Sequence, residues 1–356
     1  MAVKVRVGIV GTGANIGIAS QHLAGYQANP NAEVIALYDN VAGRAAAWAA
    51  QKGLNATVCD DYEDLLALVE AVSICTPNFT HASLTKRALE RGKHVLCEKP
   101  LGVSYADAAE VVKYARSAGL VNMIGLSYRG LPAVKFMKQL LDDGKLGEIY
   151  TYRETMGGNR IANPQVPLEW RMRAEQSGPG AMADFGSHMM DLADYLLRET
   201  SGEIREVNCL ANTFIKERQQ IGGAGRGPVT NDDCAVFAAR TARGALLSFV
   251  ASRLGVSDHT IEIYGSGGML LFRQSRPNQV EAAFKDPEAG YTNAPAAIPV
   301  PPDLIVEPFF NDQINRFIEA VLAGRPVQPD LERGLYIQGL IDAVARAAEK
   351  GEVVML

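Results

Sequence analysis

The feature that most constrains the fold is a glycine-containing turn between a strand pattern and a helix pattern near the start of the chain. The segment KVRVGIV, residues 4–10, has the β-branched, apolar character of a buried strand. Gly11 and Gly13 follow it, and a helical pattern then runs from about Ile16 to Gln27. Glycine at such a turn lets a pyrophosphate come close to the backbone at the helix N-terminus. The opening segment therefore predicts a dinucleotide-binding βα unit.

The glycine spacing departs from GxGxxG, because Ile16 occupies the third position and Gly17 comes one residue later. Either the loop has an additional residue or Ile16 packs where a glycine normally lies. Asp39, at the end of the second predicted strand, can accept hydrogen bonds from ribose hydroxyls and would repel a 2′-phosphate, so NAD is favoured over NADP. Arg44 keeps NADP open, and Asp39 could instead simply start a turn. The candidate cofactor-binding residues here are Gly11, Gly13, Asn15, Ile16, Asp39 and Asn40.

The first third of the chain alternates strand and helix patterns. Helices are predicted at about 42–52 and 83–91, between apolar strand patterns that read EVIALYD, AVSICT and HVLCEKP. Strands that are apolar on both faces and separated by helices indicate a parallel, doubly wound sheet. We predict an α/β dinucleotide-binding (Rossmann) domain over residues 1–125.

The pattern changes near residue 147. Long alternating segments follow, several of them joined by Gly-containing turns: GEIYTYRETMG, EIREVNCLANTFI, DCAVFAARTARGALLSFVASRL and DHTIEIYGSGGMLLFRQ. Such segments are typical of an antiparallel sheet with one covered face. Because 356 residues exceed what one core usually organises, we predict a second α+β domain over 126–356 with a large, mostly antiparallel open sheet.

Other segments of the second domain carry weaker signals. QQIGGAGRGPVTND is predicted to be a mobile loop and YTNAPAAIPVPPD an irregular excursion, and helices are predicted at about 309–322 and 332–349. The alternating apolar residues Ala235, Phe237 and Leu247 suggest a sheet face that another subunit covers, which predicts a homo-oligomer.

Composition excludes several classes of partner. The net charge of -5 and the lack of a basic stripe argue against nucleic acid. No window approaches the ~18 apolar residues of a membrane span, and the first residues, MAVKVRVGIV, read as a strand and not as an export signal. The five cysteines are dispersed and lack a CxxC pair, which favours free thiols and a cytoplasmic location.

The segment SGPGAMADFGSHMMDLADYLL carries acid–base chemistry. A helix beginning near Ala181 would place Asp184, His188 and Asp191 on one stripe. With an ordinary pKa of about 6.5, His188 can act as a general base, and Asp184 can orient its ring. The pair could instead lie on the surface or share a metal ion. No further ligand cluster supports a metal, and none is predicted.

The segment KHVLCEKPLG places a lysine where a parallel strand ends. The ammonium of Lys99 can donate a hydrogen bond to a substrate oxygen as negative charge develops, while Pro100 turns the chain. Beside oxidised nicotinamide, Lys99 could also lose its proton and act as the base in place of His188. The alternative is a solvated Glu/Lys pair in a turn.

Two residues of EWRMR are candidates for substrate binding. The guanidinium fork of Arg171 suits sugar hydroxyls or a carboxylate, although a surface arginine is equally compatible. Trp170 could pack on a sugar face or lie in the core. His22 and His259 are expected at helix and strand surfaces, without a functional role.

Taken together, these segments resemble the Gfo/Idh/MocA oxidoreductases, which pair a Rossmann domain with an open-sheet substrate domain. The resemblance covers about the first two-thirds of the chain. It is carried by the glycine loop and by VSICTPNFTHASLTKRALERGKHVLCEKPLG, SYRGLPAVKFMKQLLDDGKLGEIY and GPGAMADFGSHMMDLADYLL. Within the family, PLEWRMRAEQSGPGAMADFGSHMMDLADYLL is most similar to inositol and related cyclic-polyol or aldose dehydrogenases.

The resemblance implies a catalytic group of Lys99, Asp184 and His188 and a cis peptide bond before Pro100. It places Arg129 of SYRG at the substrate, although an interdomain salt bridge would equally explain that arginine. It also implies a tetramer, with a dimer as the alternative. Around the cofactor it places Thr76, Pro77, Asn78, His81, Glu98 and Lys99.

The sequence therefore predicts an NAD-dependent dehydrogenase that oxidises a ring hydroxyl of a cyclic polyol or sugar, with inositol as the leading substrate. A glucoside or aldose dehydrogenase of the same family is the first alternative. The second is a non-catalytic sensor that binds NAD or a sugar derivative.

Overall fold

A computed structural model describes residues 4–13, 17–223 and 225–356. They form two compact units, one reaching to Ser127 and including Glu307–Gln338, the other comprising Tyr128–Val306 and Gly339–Leu356. Residues 307–338, which the sequence analysis places in the second domain, group with the first unit because Phe310, Ile314 and Phe317 pack in its core.

The first unit is built on a parallel sheet, which the described residues form with six strands in the order β3-β2-β1-β4-β5-β6. This order is that of a doubly wound dinucleotide-binding fold, in which the direction of strand addition reverses between β1 and β4. The predicted fold class is confirmed here. The strands are β1 (Val5–Val10), β2 (Ala32–Tyr38), β3 (Thr57–Val58), β4 (Ala71–Ile74), β5 (His94–Cys97) and β6 (Asn122–Ile124).

The helices follow the predicted periodicity in most places. The sequence analysis did not predict α3, α5, α6 and α7. Of these, α3 and α5 begin at side-chain caps, where Asp61 accepts from Glu63 N at 2.7 Å and Ser104 accepts from Asp107 N at 3.3 Å. The helices are α1 (Ile18–Ala28), α2 (Arg44–Lys52), α3 (Tyr62–Leu68), α4 (Asn78–Glu90), α5 (Tyr105–Ala118), α6 (Pro132–Asp142), α7 (Ala174–Ser177), α8 (Ala181–Asp184), α9 (Gly186–Ser201), α10 (Asn311–Ala323) and α11 (Leu331–Lys350).

The second unit is built on a larger sheet, which its described residues form with nine strands in the order β16-β15-β14-β13-β7-β12-β11-β8-β17. Strands β7 and β12 run parallel and the other neighbours pair antiparallel, as predicted. The strands of this unit are β7 (Ile149–Gly157), β8 (Ile204–Asn212), β9 (Glu217–Gln219), β10 (Arg226–Pro228), β11 (Cys234–Thr241), β12 (Leu246–Ser252), β13 (Asp258–Gly265), β14 (Gly268–Arg273), β15 (Gln279–Phe284), β16 (Ala296–Pro299) and β17 (Val354–Met355).

Two segments expected to be irregular contain strands. The glycine-rich segment carries β10, which pairs with β9 as a separate hairpin. The proline-rich segment carries β16, an edge strand in which Ile298 lies opposite Val280. Proline is tolerated there because an edge strand leaves some of its N–H groups unpaired.

The prediction for the open sheet face was wrong about which residues lie on it. Ala235, Phe237 and Leu247 are 1 to 2% exposed and face the covered side, where helix α9 packs on β7 and β12. The exposed side carries their strand neighbours Val236 and Val250, which lie opposite each other. Successive side chains in a strand point to opposite faces, so an offset of one residue exchanges the two sets.

All five cysteines are free thiols. Across the described ranges, no helix is both long enough and apolar enough to cross a bilayer.

Candidate active site

The glycine loop of the first unit approaches the end of β4 so closely that a side chain would not fit. Gly11 has φ +89°, and a Cβ there would lie 2.7 Å from Cγ2 of Thr76 and 2.9 Å from the backbone of Cys75. A left-handed backbone with no room for Cβ requires glycine. Gly17, also at positive φ, directly precedes α1. The described ends of the loop, Gly11 and Gly17, thus give a pyrophosphate close access to the backbone, and we call them the glycine cradle. Asn15 and Ile16, two of the predicted cofactor residues, lie outside the described residues.

Asp39 joins the glycine loop to the end of β2. Its Oδ2 accepts hydrogen bonds from Thr12 N at 2.8 Å and Thr12 Oγ1 at 3.1 Å, and its Oδ1 accepts from Val41 N at 3.0 Å and Arg44 at 3.2 Å. The bond to Val41 N closes a turn, so the structural role considered from the sequence is present as well. Asn40 follows on the surface. This carboxylate is fixed beside Thr12 of the glycine loop, where the sequence predicts the adenosine ribose of a dinucleotide.

His81 ties together the loops that follow β4 and β5. It is buried, with Nδ1 2.6 Å from the carbonyl oxygen of Pro100 and Nε2 2.8 Å from that of Thr76. Burial lowers the pKa of His81, and the two carbonyl contacts oppose that shift. Pro77 precedes α4, which begins at Asn78. The predicted cofactor residues 76–81 are therefore brought to one place, at the carboxyl end of the sheet.

The EKP motif lies directly after β5. The Lys99–Pro100 peptide bond is cis, as the resemblance implied. Glu98 is buried and its Oε1 lies 2.9 Å from Nε2 of His22. The expectation that His22 lies on the surface was wrong, because this histidine is fully buried against Glu98, 76 residues away in sequence.

In the second unit, Asp184 and His188 lie at a junction of two helices and not within one continuous helix. Asp184 ends α8 and His188 lies in the first turn of α9, with Phe185 at the junction. Asp232, which the sequence analysis missed, holds the start of α8 by accepting from Gly180 N at 2.5 Å and Met182 N at 3.1 Å. Burial raises the pKa of Asp232, and nearby positive charge opposes the rise.

The imidazole of His188 is buried against an aromatic group. The ring centroids of His188 and Tyr128 are 4.5 Å apart, and the rings of His259 and Tyr128 form a T-shaped pair with their centroids 5.5 Å apart. Nε2 of His259 lies 2.7 Å from Oε1 of Glu154. The expectation of a surface position for His259 was also wrong, because its ring faces the covered side of the sheet. Tyr128 thus connects His188 to the buried pair of His259 and Glu154.

Positive groups surround Asp184. Nε of Arg253 lies 3.6 Å from its Oδ2, and the charge of Asp184 acts on Arg171 as well. Burial lowers the pKa of Arg171 to about 10, and Asp184 opposes that shift. The guanidinium of Arg171 stacks on the ring of Trp170 at 4.1 Å, and both residues are half-buried. The pair offers an aromatic face and several hydrogen-bond donors in the unit that holds His188.

Arg129 has well-defined partners. Its Nε and Nη2 donate to the two carboxylate oxygens of Asp191 at 2.7 and 2.6 Å, and its guanidinium lies over the ring of Tyr195. This salt bridge is buried and lies within the second unit, so the interdomain salt bridge considered from the sequence was wrong. The described part of the chain contains no group of three or more metal-ligating side chains that could hold an ion.

The parallel sheet in this strand order, its glycine cradle and the anchored Asp39 are features of a dinucleotide-binding protein. Two family models support this and cover most of the chain. The oxidoreductase family with an NAD-binding Rossmann fold matches residues 5–126, and the GFO/IDH/MocA C-terminal domain matches residues 134–271. The chain belongs to the Gfo/Idh/MocA family of oxidoreductases.

Curated relatives align over almost the whole chain. Inositol 2-dehydrogenase of Rhizobium meliloti is 29% identical, with 98% of each chain covered. D-glucoside 3-dehydrogenase of Escherichia coli is 31% identical, over 99% of this chain and 97% of that one. A structure of levoglucosan dehydrogenase in complex with NADH and L-sorbose superimposes with a TM-score of 0.90 at 26% identity, with 99% of each chain covered.

Proposed function

We propose that this NAD-dependent dehydrogenase oxidises a secondary ring hydroxyl of a cyclic polyol or sugar to the ketone, with inositol as the leading substrate. The observation that carries the proposal is the position of His188 in the first turn of α9, directly after the helix that ends at Asp184, with its imidazole 4.5 Å from the ring of Tyr128. A positioned base of this kind is what removal of a hydroxyl proton requires.

The stacked pair of Trp170 and Arg171 supports a polyhydroxylated ring as substrate. An aromatic face packs on the apolar face of a sugar ring, and a guanidinium fork donates to its hydroxyls. The relatives named for inositol, glucosides and levoglucosan point to the same chemical class. A glucoside or aldose dehydrogenase is the second candidate, since the D-glucoside 3-dehydrogenase named above is 31% identical and the inositol 2-dehydrogenase 29%.

NAD supplies the hydride acceptor when it is bound. We assign its pyrophosphate to the glycine cradle, its adenosine ribose to Asp39 and, from the family resemblance, its nicotinamide ribose to Glu98. The first two assignments rest on the close approach of Gly11 to β4 and on the anchored carboxylate described above. The full set proposed to hold it is Gly11, Gly13, Asn15, Ile16, Asp39, Asn40, Thr76, Pro77, Asn78, His81, Glu98 and Lys99.

The chain's own residues handle the proton. We assign to Lys99 the hydrogen bond that stabilises the developing alkoxide, and to His188 the role of general base. Asp184 orients the imidazole and stabilises its protonated form. Lys99 as the direct base remains the alternative. The residues proposed to bind substrate are Lys99, Arg129, Trp170, Arg171, Asp184 and His188.

A substrate panel tests the proposal. The purified protein is mixed with NAD or NADP and with inositol isomers, glucosides, anhydrosugars and aldoses, and reduction is followed by the absorbance of the reduced nicotinamide. We expect reduction of NAD, in preference to NADP, with at least one ring polyol or sugar. Binding of both NAD and sugar by calorimetry, without reduction for any pair, would contradict the proposal and favour the sensor.

We also propose a homo-oligomer, a tetramer in preference to a dimer, supported by the apolar residues on the open sheet face. A cytoplasmic location is proposed because all five cysteines are free thiols.

A further inference from the structure

Four polar side chains of the first unit are joined by hydrogen bonds into a buried hydrogen-bond chain, which ends at the EKP motif. The hydroxyl of Tyr26 lies 2.6 Å from Oγ of Ser73, which lies 3.0 Å from Nδ1 of His22. Nε2 of His22 then lies 2.9 Å from Oε1 of Glu98. Tyr26, Ser73 and His22 are at most 1% exposed, whereas the side chain of Glu98 keeps 10% of its surface accessible.

If each group donates toward Glu98, every polar hydrogen of this hydrogen-bond chain has an acceptor within it. Burial raises the pKa of Tyr26, so its hydroxyl keeps its proton and donates to Ser73. Ser73 then donates to Nδ1 of His22, and the Nε2–H of His22 donates to Glu98. In the opposite direction, the tyrosine hydroxyl would have no acceptor in the chain. In this direction the Nε2–H of His22 is aimed at the carboxylate of Glu98.

Gly125 closes the other side of the Glu98 carboxylate. A Cβ at position 125 would lie 2.6 Å from Oε1 of Glu98 and 2.8 Å from its carboxyl carbon. The carboxylate thus lies flat on the backbone of Gly125, which is itself fixed by a 2.7 Å hydrogen bond from its N to the carbonyl of Cys97. Glu98 is held from two directions.

We propose that His22 is a positioning residue for Glu98, and that through Glu98 it sets the affinity for NAD. The inference rests on the proposed function, in which Glu98 contacts the nicotinamide ribose. A carboxylate held in one rotamer binds a ribose hydroxyl without first losing conformational freedom, so the benefit of the buried chain appears in cofactor binding. His22 does not touch the reacting atoms and takes no part in proton transfer.

Two amide substitutions separate this role from simple core packing. In His22→Gln, the side-chain amide reaches the position of Nε2 and can still donate to Glu98. In His22→Asn, the amide replaces Nδ1 and can contact Ser73, but it is too short to reach the carboxylate. Both variants place a similar amide in the same core, so a packing role predicts similar losses for the two.

The experiment measures NAD dissociation constants by calorimetry, together with the unfolding midpoint of each variant. We expect His22→Asn to weaken NAD binding by about 10-fold, the size of one lost hydrogen bond to a charged group, and His22→Gln to remain within about 3-fold of the wild type. At saturating NAD, kcat should change less than the dissociation constant. Equal NAD affinities for the two variants would overturn the proposal.

Variants of Glu98 distinguish a failure of this inference from a failure of the proposed function. Glu98→Ala alone should weaken NAD binding; if it does not, the proposed contact with the cofactor is wrong. If Glu98→Ala does weaken NAD binding, it is combined with His22→Asn in a double variant. The effect of His22→Asn should then disappear, because it acts through the carboxylate. A full, additive loss in the double variant would show that His22 does not act through Glu98.

Discussion

Nε2 of His259 lies 2.7 Å from Oε1 of Glu154, and both side chains are buried within the second unit. The second carboxylate oxygen accepts a 2.6 Å hydrogen bond from Tyr152. Removing one member of a buried, hydrogen-bonded pair leaves the other without compensation and typically costs about 3 to 5 kcal/mol. We expect Glu154→Ala to lower the free energy of unfolding by an amount in this range, as measured by urea denaturation.

Glu262 on the neighbouring strand β13 provides the control. Its salt bridge with Arg153 is longer, at 3.6 Å, and solvent-accessible, so Glu262→Ala should cost less than about 1 kcal/mol. Losses of similar size in the two variants would contradict the special role of the buried pair.

The start of α8 predicts a large difference between two glycine substitutions. A Cβ at Gly180 would overlap the backbone carbonyl oxygen of Asp232, and that carbonyl accepts a hydrogen bond from Ala181 N. A Cβ at Gly186 would meet the ring of Phe237 at 3.5 Å and the carbonyl oxygen of Ala181 at 3.9 Å, both ordinary contact distances.

We therefore expect Gly180→Ala to destabilise the protein by several kcal/mol, while Gly186→Ala stays within about 1 kcal/mol of the wild type or stabilises helix α9. Thermal unfolding of both variants measures this. Equal midpoints would show that the junction of α8 with Asp232 is not rigid.

The open sheet face predicts the effect of a charge on assembly. Val236 lies between Val250 and Leu210 in register, and the three are 54, 40 and 77% exposed. If a second copy covers this row, Val236→Glu would bury a charge in the interface and should dissociate the oligomer. Sedimentation velocity measures the change, and Leu322→Glu, at an exposed position of α10, is the control. A monomeric wild-type protein would contradict the proposal.

Half-buried His94 predicts a component of the pH dependence of stability. Nδ1 of His94 accepts a 3.0 Å hydrogen bond from Val121 N, which requires an unprotonated nitrogen, and burial lowers its pKa. The folded state therefore binds this proton less readily than the unfolded state, whose histidine pKa is about 6.5. Its stabilising contribution is complete above about pH 6.5 and is lost as the pH falls through the lower folded-state pKa.

We expect His94→Asn, whose amide oxygen can accept the same bond, to lose less stability than the wild type between about pH 7.5 and pH 5. Chemical denaturation at the two pH values measures the difference. An identical loss in both proteins would show that His94 does not titrate with unfolding.

The features that could be predicted from the sequence are those that short residue patterns determine. Apolar runs and the glycine turn specify the parallel sheet, and a spacing of four residues keeps Asp184 and His188 one helical turn apart. The structure differs at Phe185, where α8 ends and α9 begins, although the backbone of this residue stays in the helical region.

The hydrogen-bond partners within and around the candidate site could not be predicted, because the two members of each pair come from distant parts of the chain. His22 and Glu98 are 76 residues apart, and Glu154 and His259 are 105 apart. In the sequence, each histidine occupies an element that could equally turn it toward solvent. The apolar face of the sheet was misassigned by one residue, since alternation reveals that two faces exist but not which is covered.

The central claim is that Lys99 stabilises the developing alkoxide in a reaction that uses NAD. The most direct measurement compares turnover and NAD affinity for Lys99→Ala and for the control Lys93→Ala, just before the same strand. We expect turnover of Lys99→Ala to fall by at least about 10²- to 10³-fold with NAD affinity within a few-fold of the wild type, and Lys93→Ala to behave as the wild type. Undiminished turnover of Lys99→Ala would contradict the account.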